Sequence, residues 1–226
     1  MAVPTTPTAV PSSRPPRAAH DERLLPPPVE ITPEAGAILL RLARAVIAAT
    51  ASGRPCPAEL AAVLPPDPPA SLVALAAAFV TIHRGDELRG CVGSLAPDQP
   101  LWRSVLSAAV SAARDPRFPR VAAREVPGLT IDVSVLGPAV PLASPEDFRP
   151  GVDGLIVERG FRRALMLPEV ATEHGWGAPE MLAATCWKAG LADEAWRDAG
   201  TTVRVFRTAR ISDRDGGFDH PSQDRR

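Results

Sequence analysis

Proline restricts this chain more than any other residue. There are 27 prolines in 226 residues. Each fixes φ, lacks an amide donor, and is excluded from helix interiors and central strands. Regular structure must therefore lie in the segments that prolines open, close or leave alone. Eight prolines fall within the first 28 residues, among Ser, Thr and Ala, and such a stretch cannot assemble a core. The end, "SDRDGGFDHPSQDRR", has the same character. We expect a disordered Pro-rich tail over 1–30, a folded unit over 31–211 and a disordered tail over 212–226. Inside the folded unit the prolines sit at helix ends. "TPEAGAILLRLARAVIAATASG" offers Thr32 as N-cap, Pro33 at N1 and Glu34 in the first turn. Ile38, Leu39, Leu42, Val46 and Ile47 then recur at helical spacing until Gly53. Pro100 opens a second helix that Pro116 ends. Pro168 opens a short one, "PEVATEHG", and Pro179 a longer one, "PEMLAATCWKAG", which stops at Gly190. "RPCPAELAAVLPPDPPA" predicts a loop with one helical turn at its centre.

The remaining segments read as strands. "AFVTIHRGDELRGCVG" is a hairpin of two β-rich arms about a Gly-Asp turn, which makes its "RGD" a turn triplet. "GLTIDVSVLGP" alternates, with Leu129, Ile131, Val133 and Val135 on one face and Thr130, Asp132 and Ser134 on the other. "GLIVERGFRRALMLP" is a second hairpin turning near Arg159 and Gly160, and "TTVRVFRT" is a last strand. Hairpins mixed with helices predict an α+β fold with a largely antiparallel sheet flanked by helices.

Composition removes several classes of function. Hydrophobic residues make up 45%, enough for a core, and a formal net charge of −1 gives no attraction to polyanions or membranes. Cys56, Cys91 and Cys186 are odd in number, far apart and without a CxxC pair, so neither a disulfide framework nor a Cys-rich zinc site is expected. The longest apolar run, "SLVALAAAFVTI", is too short to span a bilayer, and the N-terminus lacks the apolar region of a signal peptide. The expectation is a cytoplasmic protein with free thiols, no membrane contact and no nucleic-acid partner.

The chemistry-bearing residues gather around "ELRGCVG". Alternation along a strand puts Arg89 and Cys91 on one face. Matching apolar residues across the hairpin places Ile82 opposite Leu88, Thr81 opposite Arg89 and His83 opposite Glu87. One face then holds Thr81, His83, Arg89 and Cys91. A neighbouring cation lowers a thiol pKa, and Gly90 and Gly93 permit a ligand or another backbone to approach closely. This is a setting for a nucleophile. It is also a setting for a small buried cysteine whose arginine pairs with a carboxylate.

Three other stretches invite a functional reading. "ARDPRFPRVAAREV" carries Arg114, Arg117, Arg120 and Arg124 around Phe118, and we read these as solvated arginines around an anchoring aromatic. "LPEVATEHGWG" sets Glu169 and Glu173 on one helix face beside His174, without metal-ligand spacing, so no metal is predicted. "CWKAG" holds Lys188, the single lysine of a chain with 24 arginines, which marks a place where a guanidinium fits badly.

Taken together, "FVTIHRGDELRGCVGSLAPDQPL", "AARDPRFPRV", "LTIDVSVL", "GVDGLIVERGFRRALMLPEVATEHGWG" and "CWKAGLADEAW" resemble the AMMECR-one domain family, called AmmeMemoRadiSam system protein A in prokaryotes. The resemblance covers Ile31 to Ile211 and includes the signature "LRGCVG". It implies an α+β fold of two lobes and an intracellular protein associated with Memo-type and radical SAM proteins. It names no cofactor and no reaction. Three features depart from the family's pattern: His83 stands where lysine is common, "EHGWG" replaces an EQGWD-like sequence, and both tails are this chain's own.

Two functions are therefore expected. In one, Cys91 is a thiolate activated by Arg89 in an enzyme or maturation factor acting on a small molecule or partner protein. In the other, the chain is a non-enzymatic adaptor for the Memo-type and radical SAM partners. In both, Thr81, His83, Gly90, Gly93, Glu169, Glu173 and Lys188 line a shared depression with Cys91, and Arg89 takes Glu169 or Glu173 as its anion.

Overall fold

A computed structural model describes residues 25–54, 64–214 and 217–219. The helical turn expected within the Pro-rich loop, Cys56 and the tail to residue 24 lie outside the described residues.

Helix α1 (Pro33–Ala51) begins as its sequence dictates: the Thr32 hydroxyl accepts from the Ala35 amide at 3.2 Å, with Pro33 opening the helix and Glu34 in the first turn. A short α2 (Ala70–Val73) precedes the first hairpin, β1 (Ala77–Arg84) and β2 (Glu87–Gly93). Helix α3 (Leu101–Ala112) leads through a loop to β3 (Leu129–Leu136). The second half contains β4 (Val140–Pro141), β5 (Gly154–Arg159), β6 (Arg162–Met166), α4 (Pro168–His174), α5 (Ala178–Lys188) and β7 (Thr202–Phe206). β8 (Thr208–Ser212) and β9 (Gly217–Asp219) complete the chain's described part.

The strands form two sheets, both antiparallel. One has the order β2-β1-β3-β8-β9 and the other β4-β7-β5-β6. One face of the five-stranded sheet packs on α1 and α3. There Val80, Ile82, Ile131, Val133 and Ile211 meet Leu39, Leu42, Leu101 and Val105 in one buried cluster. In the second lobe, α4 and α5 cover the four-stranded sheet through Leu155, Ala171, Met181, Leu182 and Val205. A smaller cluster joins the sheets: Ala77 and Leu136 from the first meet Ile156, Leu165 and Phe206 from the second. Only Arg207 separates β7 from β8, so a single residue carries the chain from one lobe to the other.

Three elements differ from the sequence reading. The hairpin closes through Gly85 and Asp86, with Arg84 opposite Glu87 and Gly85 at φ 59°. This is a two-residue connection, where apolar matching required an odd one. A bulge then absorbs the difference: Ile82 pairs with Gly90 and His83 with Leu88, which leaves Arg89 as the extra residue. Thr81 therefore lies opposite Cys91. The second difference is at the C-terminus, where "TARIS" forms β8 and β9 pairs beyond it, so the sheet continues past Ile211. The third is near the N-terminus: Leu25 and Val29 pack against the two lobes' clusters.

Candidate functional site

The face of the five-stranded sheet turned away from α1 and α3 is polar over half its width. Strand alternation places Thr81 and His83 there from β1, Cys91 from β2, Asp132 and Ser134 from β3, and Arg210 and Ser212 from β8. The register sets Cys91, Thr81, Asp132 and Ser212 in one cross-strand row, with Arg210 opposite Ser134. Phe79 and Leu165 border the row at its apolar end, beside Cys91.

Cys91 is half-buried, and the Thr81 hydroxyl donates to its Sγ at 3.3 Å. Among the described residues β2 is an edge strand, and no strand pairs with the Cys91 backbone on its outer side. The loop after α3 supplies partners instead. The Cys91 amide donates to Asp115 Oδ2 at 3.0 Å, and Arg117 Nη2 donates to the Cys91 carbonyl at 3.0 Å. Asp115 and Arg117 pair with each other at 2.7 Å. The Arg117 hydrogen bond holds the Asp115 carboxyl down at about 2, although burial opposes it. Arg117 thus belongs to the site and is not simply solvated. Burial pushes the Cys91 thiol up and the Thr81 hydroxyl pulls it down. The Glu169 charge raises it further, while Lys188 and Arg117 lower it.

Glu169 is half-buried at the start of α4, and burial raises its pKa, with Glu173 and Asp132 adding to the effect. Glu173 is exposed, and its charge reaches both Glu169 and Arg210. Lys188 closes α5 and reaches back, Nζ donating to the Leu165 carbonyl at 3.0 Å. Burial lowers its pKa, and the Cys91 thiolate would raise it. Asp132, at the centre of the row, is 2% exposed and paired with Arg210 Nη2 at 2.8 Å. Burial pushes its carboxyl up, yet His83, Ser212 and Arg210 together hold it at about 2. His83 Nδ1 stands 3.4 Å from Asp132 Oδ2. Among the described residues, no group of three or more His, Cys, Asp or Glu side chains is placed to hold a metal ion.

The structure therefore brings together Thr81, His83, Cys91, Glu169, Glu173 and Lys188. It does not bring Arg89 to them. As the bulge residue, Arg89 turns to the loop after α3, where it donates to Glu125 at 3.2 Å, to the Pro119 carbonyl at 2.6 Å and to the Arg120 carbonyl at 3.4 Å. The expected pairing with Glu169 or Glu173 does not form; Glu125 is the anion. Gly90 and Gly93 serve backbone packing. A Cβ on Gly90 would lie 2.3 Å from the Ala112 carbonyl oxygen, and one on Gly93 would lie 2.3 Å from that of Ala78. Asp115, Arg117, Asp132, Ser134 and Arg210 were not predicted as site residues. The alternation of "LTIDVSVL" did carry the signal for Asp132 and Ser134.

The arrangement offers a thiol between groups of opposite charge. Carboxylates and Arg210 lie on one side and Lys188 with the Arg117–Asp115 pair on the other. Depressed and elevated carboxyl pKa values in neighbouring groups, at Asp132 and Glu169, are the condition for dividing base and acid roles.

Comparison with known proteins gives a consistent result. The AMMECR1 family model matches residues 40–211. The chain is 43% identical over 194 residues to a protein of Thermococcus gammatolerans, covering 80% of this chain and 91% of that one. It is 49% identical over 145 residues to a protein of Methanothermobacter thermautotrophicus, covering 61% and 75%. The crystal structure of the uncharacterized protein PH0010 from Pyrococcus horikoshii superposes with a TM-score of 0.74 at 37% identity, covering 81% of this chain and 94% of that one.

Proposed function

The chain belongs to the AMMECR1 family, and we propose that it works through Cys91, beside the apolar cluster that joins its sheets, as a thiol-dependent enzyme or maturation factor. The single observation that carries this reading is the convergence on Cys91 of Thr81, Glu169, Lys188 and Arg117 from four different segments. A purely structural thiol needs no such surroundings. The cationic help comes from Lys188 and Arg117, in place of Arg89. Burial and the Glu169 charge favour the protonated thiol, while Lys188 and Arg117 favour the thiolate; neutralisation of Glu169, by the proton it takes from the thiol or by a cationic group of a ligand, removes the opposing charge. The substrate is a small molecule or a segment of a partner protein. The family resemblance supports Memo-type and radical SAM proteins as the partners.

Iodoacetamide labelling of the native protein, read by mass spectrometry at each cysteine, tests this. Labelling of Cys91 that rises with pH in the folded state supports the reading. A Cys91 that stays unlabelled until the protein is unfolded removes it.

One feature favours the adaptor reading instead. Phe161 at the β5–β6 turn is fully exposed and Trp187, next to Lys188, is 74% exposed, as expected of a docking surface. Co-purification with Memo-type or radical SAM proteins that survives Cys91→Ser but is lost in Trp187→Ala would select it.

A further inference from the structure

Three buried polar atoms on adjacent strands of the five-stranded sheet have no hydrogen-bond partner among the described residues: Asp132 Oδ1, Ser134 Oγ and Arg210 Nε. Asp132 is 2% exposed and Ser134 0%. Folded proteins keep such atoms few, and one explanation for a group of them is a bound molecule that completes them. These three share the polar face beside Cys91.

The charge around them is unevenly divided. Among the described residues, the three carboxyl groups of Asp132, Glu169 and Glu173 face one guanidinium, Arg210, with the His83 imidazole beside Asp132, so acidic groups predominate at this pole. On the other side of Cys91, Asp115 cancels Arg117. Lys188 reaches the Leu165 carbonyl, and no carboxylate among the described residues pairs with it. The thiol lies between an acidic pole and an unpaired ammonium. An anion alone would meet the carboxylates, and a cation alone would leave Lys188 uncompensated. Water could satisfy the orphaned atoms but would neutralise neither pole.

We propose that this face binds a small zwitterion of the amino-acid type. Its ammonium donates to Asp132 Oδ1 and Ser134 Oγ, and its carboxylate pairs with Lys188. The carbons between them pass over Cys91 against Phe79 and Leu165, which pack at that end of the row. The inference rests on the surroundings of Cys91 being the working site, but it does not require the thiol to react.

The test is calorimetric titration of the full chain with 4-aminobutanoate and 6-aminohexanoate, beside butylamine and butanoate. The expected result is saturable binding of an aminoalkanoate, at least about tenfold tighter than either singly charged probe. Lys188→Gln should bring the zwitterion down to the affinity of butylamine, and Lys188→Arg should retain part of the difference. Ser134→Ala, a small change that leaves the Asp132–Arg210 pair in place, should weaken the amine-bearing probes and leave butanoate unchanged. The proposal is overturned if no probe gives saturable heat, if singly charged probes bind as tightly as the zwitterions, or if Lys188→Gln binds them undiminished. Iodoacetamide labelling of native Cys91, run beside the titrations, separates the two claims. Zwitterion binding with an inert Cys91 removes the thiol reading alone. A reactive Cys91 with no zwitterion binding removes this inference alone.

Discussion

Asp115 and Asp132 are both buried carboxylates, and both are held at about 2, well under the ordinary aspartate value of roughly 3.9. A carboxyl with a depressed folded-state pKa favours the native state above its unfolded pKa and loses that advantage as pH falls toward the folded value. Each therefore contributes on the order of 2 kcal/mol near neutrality that disappears between about pH 4 and pH 2. Asp115→Asn should flatten the acid limb of a stability–pH curve followed by circular dichroism, while lowering stability at pH 7. Cys91 has the opposite sign. Its pKa is raised, so the stabilisation from the neutral thiol is complete below the ordinary thiol value and is lost as pH rises through the folded one. Thr81→Val removes the hydrogen bond that favours the thiolate and should move Cys91 alkylation to still higher pH. At this scale the sequence showed Thr81, His83 and Cys91 as one group, because strand alternation needs no tertiary knowledge. Arg89 was misplaced because a bulge breaks that alternation. Asp115 and Arg117 were missed because they touch the Cys91 backbone from a loop about 25 residues further along the chain.

The glycines of "LRGCVG" matter at the level of elements. Gly90 lets β2 lie directly on the C-terminal turn of α3, and Gly93 lets it pass Ala78 and Phe79. In both cases the obstructing atoms include backbone, which cannot rotate away. Gly90→Ala and Gly93→Ala should each destabilise the fold by about 1–3 kcal/mol, the usual range for overpacking, as read by urea denaturation. Thr32→Ala should cost about 1 kcal/mol through loss of the α1 cap alone, without altering the cleft. Helix starts were legible because proline and capping residues act locally. β8 was not, since "TARIS" is short, carries an arginine on its outward side, and follows β7 with one residue between.

The whole molecule is two lobes, each with a sheet and its own helices, joined through a small apolar cluster. Phe206 is its largest member, fully buried, and its ring fills the space that a side chain on Gly154 would occupy. Phe206→Ala should cost about 3–5 kcal/mol. It should also raise the rate of Cys91 alkylation in the folded state, because the same cluster packs against Cys91. The α+β class and antiparallel pairing could be read from hairpins and turns. The second sheet could not be separated from the first, because strand partnership across lobes is set by packing that no local pattern records.

The central claim is that Cys91 answers to the charges of Glu169 and Lys188, and not to Arg89. The pH dependence of Cys91 alkylation by iodoacetamide, measured by peptide mass spectrometry in folded variants, tests it most directly. Lys188→Gln removes a charge that favours the thiolate and should shift the profile to higher pH. Glu169→Gln removes one that opposes it and should shift the profile to lower pH. Glu125→Gln, which weakens the hold on Arg89, should leave the profile where it is. The account is contradicted if the Lys188 and Glu169 substitutions leave the profile unmoved while the Glu125 substitution displaces it.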